Sequence, residues 1–368
     1  MNIFKLSFSL ALLLLALGFS SCQNQDTEIN EVELVLPVVE NQQKALLDFF
    51  ENSGNYINSP QSPFLLDVDD IKDNMNKYLL IDIRYHEDYY KGHIDGAINV
   101  DRENIIAFLK TLNIYQYEKI ILIDNTGQGS AYVASILRAI GYGNIFPMKY
   151  GMSVWNTTFA FNWTDKLGDK YANFITTENY EKNPKGDFPN INTAGKTLSE
   201  ILEMRAQAEI NYNFAVTIDN LYANQDDYYI INYWPKSKYD EAHLIGAHWY
   251  EPKKSLSTSQ DLSTIPTNKK VVVYCISGQN SSAIVGYLRL LGYDAYSLRF
   301  GANSFMNKNA IANDWHGFVA KEKLHDYAMV LGENPSKKKK AKANTIKNPD
   351  LNFKHRVVVQ PNPDEVCD

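Results

Sequence analysis

The chain contains the same stretch twice. "FLLDVDDIKDNMNKYLLIDIR" (64–84) lies without gaps on "FAVTIDNLYANQDDYYIINYW" (214–234), with Phe64/Phe214, Asp69/Asp219, Asn74/Asn224, Tyr78/Tyr228 and Ile81/Ile231 each 150 positions apart. "GHIDGAINV" (92–100) lies on "AHLIGAHWY" (242–250) in the same register. "GQGSAYVASILRAIGY" (127–142) lies on "GQNSSAIVGYLRLLGY" (278–293) at an offset of 151, and Gly151 with Gly301 restores 150. Ordered matches over so long a span mean a duplicated unit, so the fold must be one that half of the chain can build and the other half can build again.

Each copy has the same coarse pattern. A short helix ("VDDIKDN", "IDNLYAN") precedes a buried strand ("YLLIDI", "YYIINY"). An irregular stretch with a histidine and Gly-Ala follows, and a second apolar strand ("KIILID", "KVVVYC") feeds a helix ("SAYVASILRAIG", "SSAIVGYLRLLG"). Apolar runs alternating with helices predict an α/β fold in each copy: a parallel sheet flanked by helices on both faces. Around this frame the expected organisation is a signal peptide over 1–22, a tether over 23–45, a first domain over 46–165 and a linker over 166–197. A second domain then covers 198–320, followed by a polar, Lys-rich tail over 321–368. The Pro-, Gly- and Asn-rich "NPKGDFPNINTAGKT" marks the linker. The run Lys337 to Lys340 reads as part of a solvated tail.

The N-terminus "MNIFKLSFSLALLLLALGFSSC" has one cation, Lys5, an apolar core and small residues leading to Cys22. Its apolar run is short for a membrane span and reads as an export signal. The cysteine after "FSS" resembles the lipobox of bacterial lipoproteins. That resemblance implies lipidation of Cys22, with the mature chain held in the cell envelope, periplasmic or surface-facing, through a lipid anchor. Loss of Lys5 with the signal moves the formal charge from −7 to −8, which argues against a nucleic-acid partner. Cys275 and Cys367 are then the two thiols left, too few for a disulfide framework, so apolar burial must hold the fold.

In "VVVYCISGQNSSAIVGYLRLLGY" (271–293), Cys275 stands at the mouth of a strand-to-helix turn. A loop folded back before a helix points successive N–H groups inward, and the helix N-terminus adds positive potential at the same place. A thiol with an ordinary pKa near ~8.5 is mostly protonated at neutral pH, so such a cradle would favour the reactive anion. Gly278 lets the backbone turn, and Ser277, Ser281 and Ser282 offer hydroxyls. The bland alternative for Cys275 is a small apolar residue closing a buried strand. Cys367, in "NPDEVCD", reads as incidental, with a resolving partner for Cys275 as the other possibility.

"LLIDIRYHEDYYKGHIDGAINV" (79–100), the Cys275 loop and "YGMSVWN" (150–156) together resemble the rhodanese family. The tandem form, with Asp124 in the first copy where the second has Cys275, is similar to two-domain thiosulfate and 3-mercaptopyruvate sulfurtransferases. The resemblance implies two tandem rhodanese-like domains, with Cys275 as a persulfide carrier and Ile276, Ser277, Gly278, Gln279, Asn280 and Ser281 as the substrate-binding loop. It implies a small sulfur-containing donor (thiosulfate, 3-mercaptopyruvate or polysulfide), a thiol acceptor, and no cofactor or metal. The first domain, with Asp124, is then a scaffold. A catalytically weak sulfur-binding or interaction module is the competing function.

The loop departs from the family by being neutral, where an Arg or Lys would hold a doubly charged donor; Arg299, Lys236 or Lys238 are the candidate substitutes. Ser277-Gly278 resembles the mercaptopyruvate-using branch. Arg84 and Glu87 are the expected ion pair of the first copy, replaced by Trp234 and Ser237 in the second. His93 and His243 read as structural, bonding backbone beside the Gly-Ala turn. A Cys-x5-Arg phosphatase loop is excluded because Ser281 stands where the arginine would be. No metal-ligand spacing and no Gly-rich nucleotide loop occurs.

Overall fold

In a computed structural model the chain is described over residues 38–53, 56–60 and 62–333. The signal peptide, Cys22, the run Lys337 to Lys340 and Cys367 lie outside the described residues. Four strands of the first unit, β1 (Tyr78–Asp82), β2 (Ile98–Asn99), β3 (Lys119–Ile123) and β4 (Ile145–Pro147), form a parallel sheet in the order β2-β1-β3-β4. The short β5 (Ile175–Thr176) lies beyond that sheet. The second unit has β6 (Ala215–Val216), β7 (Tyr228–Asn232), β8 (His243–Leu244), β9 (Ala247–Trp249), β10 (Lys270–Tyr274) and β11 (Ala295–Leu298). Its parallel sheet runs β6-β11-β10-β7-β9, the same order with one strand added at the edge. A single parallel bridge, Leu66 to Met148, stands at that place in the first unit.

Strand side chains alternate between faces, and the alternation sorts the core into layers. Leu79, Ile81, Ile120 and Leu122 of the first sheet and Tyr229, Ile231, Val271 and Val273 of the second share one apolar cluster. Tyr78, Leu80, Ile121 and Ile123 face a second cluster, and Tyr228, Ile230, Val272 and Tyr274 a third. Both sheets are therefore covered on both faces, and the middle layer belongs to both units.

Helices fill that middle layer: α1 (Gln42–Asn52), α2 (Gln128–Ala139), α3 (Leu198–Glu209) and α4 (Gln279–Leu290). α2 and α4 are the two copies of the helix that follows the central strand, and nearly every residue of each is buried. They approach so closely that a Cβ on Gly286 would stand 3.0 Å from Tyr132 O. Tyr132 also stacks on Phe214, with centroids 4.2 Å apart. Arg205 and Arg289 both bind the Glu209 carboxylate, at 2.9 and 2.6 Å, which neutralises a charge that burial would otherwise penalise.

Three boundaries differ from the sequence expectation. The tether expected to 45 gives way to α1 at Gln42: Asn41 caps the helix, and Gln42 reaches Thr193 O and Gly195 O at 2.9 and 3.1 Å. The expected linker is a strap on the second unit, where β5 pairs antiparallel with β8 and Gly186 N donates to Ser263 O. The expected tail does the converse on the first unit. His93 and Val330 exchange backbone hydrogen bonds of 2.9 and 2.8 Å, Trp155 Nε1 donates to Ala328 O, and Leu324, Tyr327 and Met329 pack on the first unit's outer cluster. Backbone pairing to a distant segment leaves no periodicity in the strand that is captured, so low local hydrophobicity was misleading in both places.

Candidate functional site

Cys275 follows β10 directly, and Gly278, at φ +79°, turns the chain into α4. The turn brings Gly278 N to 3.2 Å and Ser281 N to 3.4 Å from Sγ, with the Ser281 hydroxyl at 3.6 Å. The loop is backed by the turn after β11. Ala302 N donates to Cys275 O, Asn303 N and Nδ2 donate to Ile276 O, and a Cβ on Gly301 would fall 2.1 Å from Cys275 O, so only glycine fits there. Ser297 supports it from beneath, with Ser281 Oγ at 2.9 Å and Ser282 Oγ at 3.1 Å. The predicted loop residues Ile276, Ser277, Gly278, Gln279, Asn280 and Ser281 are thus gathered around Cys275.

The first unit carries the twin cradle, filled by a carboxylate. Asp124 Oδ1 accepts from Gly127 N at 2.7 Å and Ser130 Oγ at 2.9 Å, and Oδ2 accepts from Gly129 N at 2.9 Å. These donors are the equivalents of Gly278, Ser281 and Asn280. One copy of the cradle therefore holds a negative charge in place, and the other holds a sulfur atom.

The two cradles lie side by side, because α2 and α4 present their N-termini at the same end. Gln279 crosses to the first unit, where its Oε1 accepts from Tyr150 N at 2.6 Å, while Nε2 donates to Ser277 Oγ. Gln128 crosses the other way, and its Oε1 accepts from Phe300 N at 2.8 Å. The acceptor and donor positions repeat at offsets of 151 and 150, so the exchange is a pseudo-twofold pair. Cys275 is 1% exposed in this arrangement, and the whole of Ile276 to Ser282 is buried. Gln128 was missed from sequence; the one available signal was that both copies carry Gln after the loop glycine.

The candidate cations do not enter the cradle. Arg299 is exposed, its backbone N–H donating to Val216 O. Lys236 is exposed and pairs with Asp240. Lys238 lies two residues nearer the end of the same short helix, Lys236–Glu241. The donors to Sγ are the backbone amides of Gly278 and Ser281, and the thiol itself donates to Ser281 Oγ.

The expected ion pair has a different partner. Arg84 grips Asp82, with Nε to Oδ1 at 2.9 Å and Nη2 to Oδ2 at 2.6 Å, and also reaches Gly92 O, while Glu87 is exposed. The equivalents are Asn232 and Trp234, both fully buried, so the two members of the true pair changed together. His93 and His243 have the structural role expected of them: each stacks on a tyrosine one turn earlier and places Nδ1 on its carbonyl, Tyr89 O at 3.1 Å and Tyr239 O at 2.6 Å. His243 also places Nε2 2.8 Å from Glu178 O in the strap. Burial lowers the pKa of both rings despite these carbonyls. Among the described residues no cluster of His, Cys, Asp and Glu could hold a metal ion, and no helix is long and apolar enough to cross a membrane.

Comparison with known proteins finds the Rhodanese-like domain at residues 67–158 and again at 217–308, together half of the chain. Among curated proteins, thiosulfate sulfurtransferase GlpE of Pseudomonas fluorescens is 30% identical over 81 residues, which is 22% of this chain and 72% of that protein. The uncharacterized protein YibN of Escherichia coli is 29% identical over 87 residues, 22% of this chain and 58% of its own length; the match thus spans little more than half of that relative. A tRNA uridine(34) hydroxylase of Buchnera aphidicola is 30% identical over 112 residues, 29% of this chain and 34% of that protein. Among solved structures, a thiosulfate sulfurtransferase of Pseudomonas aeruginosa aligns at 11% identity and a TM-score of 0.27, covering 80% of this chain and 50% of that one. Escherichia coli SseA, described with the 3-mercaptopyruvate sulfotransferases, aligns at 16% identity and a TM-score of 0.24, covering 64% of this chain and 97% of that one.

Proposed function

The chain belongs to the family of Rhodanese-like domains, which it carries twice in tandem, and from that premise we propose that it moves a sulfane sulfur from a small donor to a thiophilic acceptor through a persulfide on Cys275. The Cys275 thiolate attacks the outer sulfur of the donor. The donor's bond to that sulfur breaks, its electron pair leaves with the remainder (sulfite, when the donor is thiosulfate), and Cys275 carries the S–S⁻ group. An acceptor thiolate then attacks the outer sulfur, takes it, and returns Cys275 as thiolate. Electrons balance across the two displacements without an external oxidant.

The observation that carries this reading is the pair of cradles: the loop that directs Gly278 N and Ser281 N at Sγ has a twin that binds a carboxylate through the equivalent glycine N–H, Gly127 N, together with Gly129 N and Ser130 Oγ. The neutral loop and the exposed Arg299 favour a donor of low charge, the 3-mercaptopyruvate monoanion over the thiosulfate and polysulfide dianions. Incubation of the protein with each donor, followed by mass measurement of the peptide containing Cys275, tests it. One added sulfur is expected, absent in Cys275→Ser. Failure to take up sulfur from any donor would favour the second reading, a sulfur-binding or interaction module of weak activity, which the burial of Cys275 supports.

Attachment to the cell envelope through a lipid on Cys22 is part of the same proposal and rests on the sequence of residues 1–22. Incorporation of a fatty-acid analogue in the bacterium, lost in Cys22→Ala, is the expected result.

A further inference from the structure

The same side chains that join the units close the site. A Cβ built on Gly278 would stand 2.8 Å from Gln128 Oε1, and one on Gly127 would stand 2.1 Å from Gln279 Oε1, so each glutamine fills the space directly against the other unit's loop glycine. Gly278 is one of the two residues whose N–H points at Cys275 Sγ. Each glutamine also holds the N–H of a bulky residue in the left-handed region, Tyr150 at φ +60° and Phe300 at φ +62°. Such a conformation persists only where the surroundings enforce it. Asn280 Oδ1, next along the Cys275 loop, is buried without a hydrogen-bond partner among the described residues. A buried nucleophile, left-handed backbone held on both sides of it and an unpartnered buried oxygen in its loop converge on the contact between the two glutamines and the loop glycines.

Building on the sulfur-transfer reading, we propose that Gln128 and Gln279 form a reciprocal latch, and that donor and acceptor reach Cys275 only when the latch opens. The unit without a cysteine thereby controls access to the unit that has one. Opening is local. The middle apolar layer is common to both sheets, so wholesale separation of the units would expose it, whereas withdrawal of two amides from Phe300 N and Tyr150 N leaves that layer intact.

The test is alkylation of the folded full-length chain by iodoacetamide, with the peptide containing Cys275 quantified separately from those of Cys22 and Cys367. In the native protein Cys275 should react far more slowly than in urea-unfolded protein. Gln128→Ala should raise the native rate about fivefold to tenfold, the factor set by one net hydrogen bond. Gln128→Asn, which keeps the amide but shortens its reach, should raise it as well and serves if the alanine variant does not fold. Native labelling as fast as in unfolded protein would overturn the latch, and so would folded Gln128 variants that label at the native rate. Alkylation asks nothing of sulfur transfer. A variant that labels faster yet takes sulfur from no donor would end the sulfurtransferase reading and leave the latch standing.

Discussion

At the scale of single residues the internal duplication supplies its own control experiments. Asp82 and Arg84 are buried and paired, and the second unit replaces both at once by Asn232 and Trp234. Removing one member strands the other charge in the core, so Asp82→Asn or Arg84→Met should each cost about 3–5 kcal/mol in urea unfolding. The double change Asp82→Asn with Arg84→Trp should cost less than the sum of its parts. Additive losses would mean that the pair is not coupled. The histidines make a second case. Burial lowers the folded-state pKa of His93, His243 and His248 below the ordinary value of 6.5. The unfolded chain then binds more protons as the pH falls, so stability is complete above about 6.5 and declines below it. The urea midpoint should drop from pH 7 to pH 5, and His243→Gln should flatten part of that drop. A midpoint that rises over this range would contradict the assignment.

At the scale of elements the decisive arrangement is two twelve-residue helices, α2 and α4, with their N-termini together. Like ends of helix dipoles disfavour one another, and a negative group at each end offsets the penalty. Asp124 does this in the first unit with three hydrogen bonds. Asp124→Ala should therefore destabilise the protein by about 1–3 kcal/mol. Phosphate should restore more stability to that variant than it adds to the native chain, because it can enter the vacated cradle; equal gains for both proteins would refute this. Here the sequence was informative, since the strand, the loop glycine and the helix are adjacent in the chain and each leaves a local signature. Arg299 shows the limit. It stands just before the Gly301 turn that backs the cradle, yet an odd or even position at the end of a strand decides which way it faces, and it faces solvent.

At the scale of the whole molecule the two units are not beads on a string. They share the middle apolar layer, and each is strapped by a segment that follows the other: β5 lies on the second unit, and residues 325–332 lie on the first. Unfolding should then be one cooperative transition. Fluorescence from Trp155 and Trp163 in the first unit should report the same urea midpoint as that from Trp234, Trp249 and Trp315 in the second, once each set is isolated by substitution of the other. Two separated midpoints would show independent domains. Deletion of residues 324–333 should lower that midpoint and speed hydrogen exchange at the His93 amide, which donates to Val330 O and would be left unpaired.

The chain by itself determined that an α/β unit is made twice, that one copy places a cysteine and the other an aspartate at the same strand-to-helix bend, and that the bend forms an anion cradle. Those features depend on residues close together in the chain, where periodicity, glycine placement and the repeat interval are all visible. Tertiary structure alone decided which carboxylate Arg84 binds, that the straps are exchanged, and that Gln128 and Gln279 close the cradles on each other. The strap and glutamine contacts join segments many tens of residues apart, brought together by packing that no local pattern encodes; Asp82 is only two residues from Arg84, and what decided between it and Glu87 is which of the two carboxylates the fold buries.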